Sequence, residues 1–156
     1  MEIYCVAFSA DLEKMFRQIS VCSSHQPYQC ILWRNSLQQL SVYALKTVTY
    51  GTTSVHYLAI RVLQQLAKNE ENNFKTASSV LRTDTYVDDI TSGTDTPDDA
   101  VHLQQELSAL LKSGGFHLRK WNSNSTILMN SICENDREKR STFSINQPNM
   151  SKALGI

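Results

Sequence analysis

Short apolar, β-prone runs alternate along the chain with two segments of helical periodicity. Residues 3–10, Ile-Tyr-Cys-Val-Ala-Phe-Ser-Ala, run straight into Asp11, the pattern of a buried strand that delivers a carboxylate at its C-terminal end. Tyr28 to Arg34 and Ser41 to Val48 predict two more strands, with Asn35 and Ser36 starting the turn between them. After Gly51, the apolar positions Val55, Ala59, Val62, Leu63 and Leu66 predict an amphipathic helix within residues 52–68. Residues 69–79 are polar and read as turn. Val80 to Asp84 then lead into Thr85-Tyr86-Val87-Asp88-Asp89-Ile90, which predicts a hairpin with Asp88 and Asp89 at its apex, bounded by Ser92-Gly93.

The next helix carries its own punctuation. Thr96 is a helix-capping residue, Pro97 suits the first helical position, and Asp98 and Asp99 complement the helix dipole. Val101, Leu103, Leu107, Leu110 and Leu111 supply its apolar face, and Gly114-Gly115 end it. Phe116 to Trp121 predicts a returning strand. Beyond Cys133 a solvated charge run begins. The order predicts an α+β fold with helices on one face of a mainly antiparallel sheet. That layer is expected to occupy residues 1–126. Residues 127–156 are expected to be a poorly ordered tail or the start of a further subdomain.

Composition changes this picture only modestly. The chain has 156 residues, 41% of them hydrophobic and 19% charged, which argues against a disordered chain. Fifteen Lys plus Arg balance fifteen Asp plus Glu. The basic surplus that counterion release rewards is therefore missing, which argues against a generic nucleic-acid binder. No run of 18 apolar residues and no signal-peptide pattern is present, so a cytoplasmic protein without a membrane partner is expected. Cys5, Cys22, Cys30 and Cys133 contain no C-x-x-C pair and read as reduced thiols. Cys22, His25 and Cys30 lack a nearby fourth zinc ligand.

Candidate chemistry concentrates in carboxylates. Between Arg82 and Lys112 there is no Lys or Arg, yet there are six Asp and one Glu. Asp95, Asp98 and Asp99 read as loop and helix N-terminus. Asp88-Asp89 differs, because adjacent carboxylates at a hairpin apex repel unless a cation neutralises them. Hard divalent cations bind carboxylate oxygens, and Asp11 adds a third carboxylate if its strand pairs next to the hairpin. Three carboxylates over two ions would make a two-metal phosphoryl-transfer site. No Ser-His-Asp or Cys-His arrangement and no Gly-rich phosphate loop competes. The Tyr-x-Asp-Asp tetrapeptide alone is weak, arising by chance in roughly 1–2% of chains this long.

Its context is specific. Ser9-Ala-Asp-Leu-Glu-Lys-Met-Phe16, Tyr28-Gln-Cys-Ile-Leu-Trp-Arg34, Val48-Thr-Tyr-Gly-Thr-Thr-Ser54, Tyr86-Val-Asp-Asp89 and Ser113-Gly-Gly-Phe-His-Leu-Arg-Lys-Trp121 follow one another in order. Over residues 3–126 the chain resembles the palm of a reverse transcriptase, most closely that of BEL/Pao-type long-terminal-repeat retrotransposons. The resemblance implies a polymerase palm-like fold and RNA-directed DNA polymerase activity, a nucleotidyl transfer from a deoxynucleoside triphosphate to a primer 3′-hydroxyl. It implies two Mg²⁺ ions, with Mn²⁺ as an alternative, held by Asp11 as the first metal-binding aspartate, Asp88 as the second, Asp89 as a third and less directly coordinating one, and the backbone carbonyl of Leu12.

By the same resemblance Phe16 is a steric gate that excludes a 2′-hydroxyl, against the alternative of a core aromatic. Tyr50 and Gly51 line the nucleotide pocket and template path. Lys120, with Arg119 as the competing residue, assists pyrophosphate departure, against the alternative that either simply faces solvent, and Tyr86 lies near the primer end, against the alternative of a core or hairpin role. The partners implied are a primed RNA or DNA template, deoxynucleotides, and the fingers, thumb and RNase H regions of a parent polyprotein in a retroelement particle. The chain begins ten residues before Asp11, so those regions are expected outside it, leaving this piece weakly active by itself and a poor binder of nucleic acid. Val55-His56 and Cys30 depart from the family pattern, which bears on template contact more than on metal binding. The alternative is a decayed or co-opted retroelement fragment serving as a non-catalytic binding module. A third is an unrelated α+β domain with an acidic cation-binding loop, which would leave Asp11 far from Asp88. His25, His56, His102 and His117 receive no role.

Overall fold

The structure, a computed structural model, describes residues 4–139. In chain order its elements are β1 (Val6–Leu12), α1 (Met15–Gln18), β2 (Cys30–Arg34), β3 (Leu40–Ala44), α2 (Val55–Asn69), α3 (Lys75–Thr83), β4 (Thr85–Tyr86), β5 (Asp89–Thr94), α4 (Pro97–Ser113), β6 (Leu118–Ser123) and α5 (Thr126–Ser131), with 3-10 turns at Gln26–Gln29 and Glu134–Asp136. They divide into two compact units, Lys14–Val62 and the remainder of the chain.

The larger unit is a four-stranded antiparallel sheet in the order β4-β5-β1-β6. Strand alternation sorts its faces. Val6, Phe8, Ala10 and Leu12 of β1 are buried, as are Ile90 on β5 and Leu118 and Trp121 on β6. Phe8 and Trp121 meet with ring centroids 5.7 Å apart. The intervening β1 residues Ala7, Ser9 and Asp11 are only exposed or half-buried, so the opposite face stays accessible. α4 packs against α3, α5 and β5. Its start matches the expected cap, Thr96 Oγ1 accepting from the Asp99 amide at 3.2 Å.

The fold is thus α+β with an antiparallel sheet, and several local expectations need correction. Residues 75–83, read as turn and lead-in, are the helix α3, whose buried positions Ala77, Ser78 and Leu81 include a polar residue that hides the periodicity. β5 runs through Ser92 and Gly93 to Thr94, so these residues do not bound the hairpin. Gly93 is needed there because a Cβ would stand 2.6 Å from both Tyr4 Cβ and the Val6 carbonyl oxygen. Within the expected tail or further subdomain, α5 buries Leu128, and Trp121 bridges to Arg137. Residues 140–156 of that expectation lie outside the described residues.

The smaller unit holds a lone two-stranded sheet, β2 with β3, in the register Cys30↔Ala44 to Arg34↔Leu40. Both strands are shorter than the runs that predicted them. Ser20 forms a bridge with Thr47, and the Val48 amide donates to the Ile19 carbonyl at 2.9 Å.

Candidate carboxylate site

Asp11 sits on the central strand of the larger sheet, one residue before its end. Asp89, the first residue of β5, is its direct cross-strand partner. The Leu12 amide donates to the Asp88 carbonyl at 2.7 Å. That makes Asp11–Asp89 a non-hydrogen-bonded pair, the kind whose side chains approach most closely. The strand pairing that a third carboxylate required is therefore present. Like charges directly opposite are unfavourable, so this pair calls for a cation.

The hairpin beside it is strained. Tyr86 pairs with Asp89, leaving Val87 and Asp88 as a two-residue loop, so the apex is Val87-Asp88 and Asp89 already belongs to the ladder. Val87 has φ 56°, while Asp88 is not in the left-handed region. A positive φ at the first loop residue alone is the sign pattern of a type II′ turn, a position that prefers glycine. A β-branched residue there is a true outlier, and such strain gathers at functional sites. Asp84 anchors the base of the hairpin: its carboxylate accepts from Ser92 Oγ at 2.6 Å and Thr83 Oγ1 at 2.8 Å.

On the other side of β1 the ladder slips. Ser9 pairs with Asn122 and Asp11 with Arg119, so β6 spends three residues where β1 spends two. This bulge contains Lys120 at φ 53°. Bulges re-aim side chains, and here Lys120 Nζ meets Asp11 Oδ2 at 2.7 Å although 66% of the lysine side chain is exposed. The hydrogen bond to Asp11 holds the Lys120 ammonium above its usual pKa against a smaller desolvation effect, with Asp11, Asp89 and Asp88 adding Coulombic support. Arg119 instead pairs with Glu13 at 2.9 Å and Asp136 at 3.6 Å. Of the two competing basic residues, Lys120 is the one turned to the carboxylates. Leu118 and Trp121 could have signalled the bulge in the sequence. Both are buried though three residues apart, which a regular strand does not allow.

The other predicted residues divide by unit. Tyr86 belongs to the sheet unit, exposed opposite Asp89. Phe16, Tyr50 and Gly51 belong to the smaller one. Phe16 is buried, its ring edge-on to Tyr50 at 4.8 Å and to His56 at 5.6 Å. His56, given no role by the sequence, completes that aromatic group. Gly51 has φ 86°, a backbone angle that favours glycine, and no protein atom crowds it.

Asp11 and Asp89 offer carboxylate oxygens, the donor type of Mg²⁺, an ion that takes one or two protein carboxylates plus phosphate oxygens and water, while Lys120 Nζ stands on Asp11 Oδ2. Among the described residues no group of three or more His, Cys, Asp and Glu is placed to hold a metal ion. Asp11 and Asp89, paired across the ladder, are the two carboxylates that would hold such an ion. No protein-family model matches the chain, and no curated protein matches it. Among the described residues no helix is long and apolar enough to cross a membrane.

Proposed function

We propose that the sheet unit is a polymerase palm of the reverse transcriptase type, similar to that of BEL/Pao retroelements, acting in the cytoplasm within a retroelement particle. The observation that carries this reading is the pairing of Asp11 with Asp89 across β1 and β5, beside the strained Val87-Asp88 turn. Bound Mg²⁺ would lower the pKa of a primer 3′-hydroxyl and neutralise triphosphate charge. The chain's part is positional. Asp11 and Asp89 present carboxylate oxygens from two hydrogen-bonded strands, so their spacing is fixed by the ladder. The Leu12 carbonyl adds a neutral donor, and Asp88 stands one residue away on the turn. Lys120, released from Asp11, carries an ammonium able to donate to a phosphate oxygen. Phe16, Tyr50 and Gly51 are assigned to the deoxynucleotide and template path, and Tyr86 to the primer end.

Primer extension on an RNA template with deoxynucleotides and Mg²⁺ tests this reading. Slow incorporation by the wild type and none by Asp88→Asn is expected. Incorporation that persists in Asp88→Asn would overturn the catalytic assignment. One observation favours the second reading, a non-catalytic binding module: Asp11 is already neutralised by the chain's own Lys120.

A further inference from the structure

Lys14–Val62 contains Lys14, Arg17, Arg34, Lys46 and Arg61 and not one Asp or Glu. Within it the β2–β3 ribbon exposes apolar side chains on both faces, Leu32, Leu40 and Val42 on one and Ile31, Trp33 and Tyr43 on the other. A ribbon of two strands is at best marginally stable in water, so these faces call for a further element.

The register shows where a further strand fits. The Leu45 amide donates to the Gln29 carbonyl at 3.1 Å, and the Asn35 amide to the Gln39 carbonyl at 3.0 Å. The two kinds of cross-strand pair alternate between these ends, so Cys30–Ala44, Leu32–Val42 and Arg34–Leu40 are the non-hydrogen-bonded pairs. Their backbone N–H and C=O groups point away from the ribbon. On β3 they form an edge, Leu40, Val42 and Ala44, to which no other strand of the described residues is joined. Leu40–Ala44 carries no charge, proline or bulge, the devices that blunt an open edge. Just beyond, the same edge already holds a neighbour. The Val21 amide donates to the Lys46 carbonyl at 2.8 Å, and Ser20 bridges to Thr47.

Cations stand at both ends of the open stretch. Arg34 lies opposite Leu40, on the face that Leu32 and Val42 share, and its guanidinium donates to the Gln38 carbonyl at 3.2 Å. Lys46, exposed, follows two residues after Ala44. A second copy of the chain suits this pattern badly. β3 paired antiparallel with itself about Val42 sets Leu40 of one copy against Ala44 of the other, which turns Arg34 toward Lys46, cation to cation.

We propose that the β3 edge accepts an extended segment of a partner protein, with apolar residues set against Leu40 and Val42 and a carboxylate at each end meeting Arg34 or Lys46. Main-chain hydrogen bonds to Leu40, Val42 and Ala44 supply affinity, and the alternate side chains supply choice, as strand addition to a sheet edge does in general. Opposite charge at the two ends selects such a segment over a second copy, which the same cations repel. The binding needs no metal, primer or nucleotide, so it is independent of whether the carboxylate chemistry proposed above occurs.

The test is fluorescence anisotropy of the full chain with the labelled peptide Glu-Thr-Val-Thr-Val-Thr-Glu, and with Lys-Thr-Val-Thr-Val-Thr-Lys beside it. With its Val residues opposite Leu40 and Val42, the first peptide sets one Glu beside Ala44, next to Lys46, and the other beside Gln38, where Arg34 is held. Saturable binding of the Glu peptide is expected, about tenfold tighter than that of the Lys peptide. Val42→Pro removes an outward amide that the β2–β3 ladder does not use, and is expected to abolish binding. Arg34→Glu with Lys46→Glu is expected to reverse the preference between the peptides. Both side chains are exposed, so this variant decides the matter if circular dichroism shows that the proline disturbs folding. Absence of binding, equal binding of the two peptides, a preference that survives the charge reversal, or a folded Val42→Pro that binds like the wild type overturns the proposal. Self-association lost in Val42→Pro, without peptide binding, would also overturn it and mark the edge as a contact between copies.

Discussion

Two residues near the carboxylates take backbone angles that their side chains disfavour, and Lys120 lets the effect be measured. Its left-handed conformation costs about 1 kcal/mol relative to glycine. Its exposed ion pair with Asp11 returns about 0.2–1 kcal/mol. Lys120→Ala keeps the strain and loses the pair, whereas Lys120→Gly loses both. The glycine variant is therefore expected to exceed the alanine variant in stability by about 1 kcal/mol in urea denaturation. The pH dependence has a definite sign. Because the folded-state pKa of Lys120 is raised, chiefly by its bond to Asp11, the pair's contribution is complete below the unfolded lysine pKa of about 10.4. It is lost as pH climbs through the raised folded value. The stability gap between wild type and Lys120→Ala should hold from neutral pH to about 10 and close above it. A gap that narrowed between pH 7 and 9 would contradict the assignment.

At the scale of elements, legibility followed burial. α4 was readable because its apolar face and its cap are both written in side chains, Leu103, Leu107, Leu110 and Leu111 behind Thr96 and Pro97. β1 was readable because alternate residues are apolar up to Leu12. α3 was not, because Ser78 occupies a fully buried position and the neighbouring Ser79 deepened the impression of a turn. The Asp88-Asp89 motif was visible, but its register was not. Which carboxylate belongs to the turn and which faces Asp11 is decided by ladder pairing, a long-range property. The bulge at Lys120 was legible only through Leu118 and Trp121, two large apolar residues whose three-residue spacing departs from strand alternation. α3 also supplies a test. The Ser78 hydroxyl is buried and finds no partner among the described residues. Ser78→Ala removes an unsatisfied polar group and raises helix propensity, so a gain of about 1 kcal/mol is expected. The urea midpoint should rise with an unchanged m-value, whereas a loss of stability would mean that the hydroxyl is bonded.

Charge acquires meaning only at the scale of the molecule. The sheet unit has an acidic surplus, and the divalent cation proposed above would sit at its facing Asp11–Asp89 pair. An acidic unit is also stabilised by any cation that screens it, so a simple response to Mg²⁺ would not locate a site. The discriminating measurement is a thermal melt with Mg²⁺ added at constant ionic strength. A specific ion at a hundred times its dissociation constant stabilises by about 2.7 kcal/mol, a shift of several degrees. Asp89→Asn is expected to abolish that shift, and Asp98→Asn to leave it intact. Asp98 keeps the comparison fair, because it is an exposed carboxylate in the first turn of α4, with the same charge and no place in the Asp11–Asp89 pair. Hydrogen exchange adds the location: amides of β1, β5 and β6 should gain protection on adding Mg²⁺. Equal losses in the two variants would show that the cation reads the unit's total charge, and the pair across β1 and β5 would then lose its claim as a metal centre.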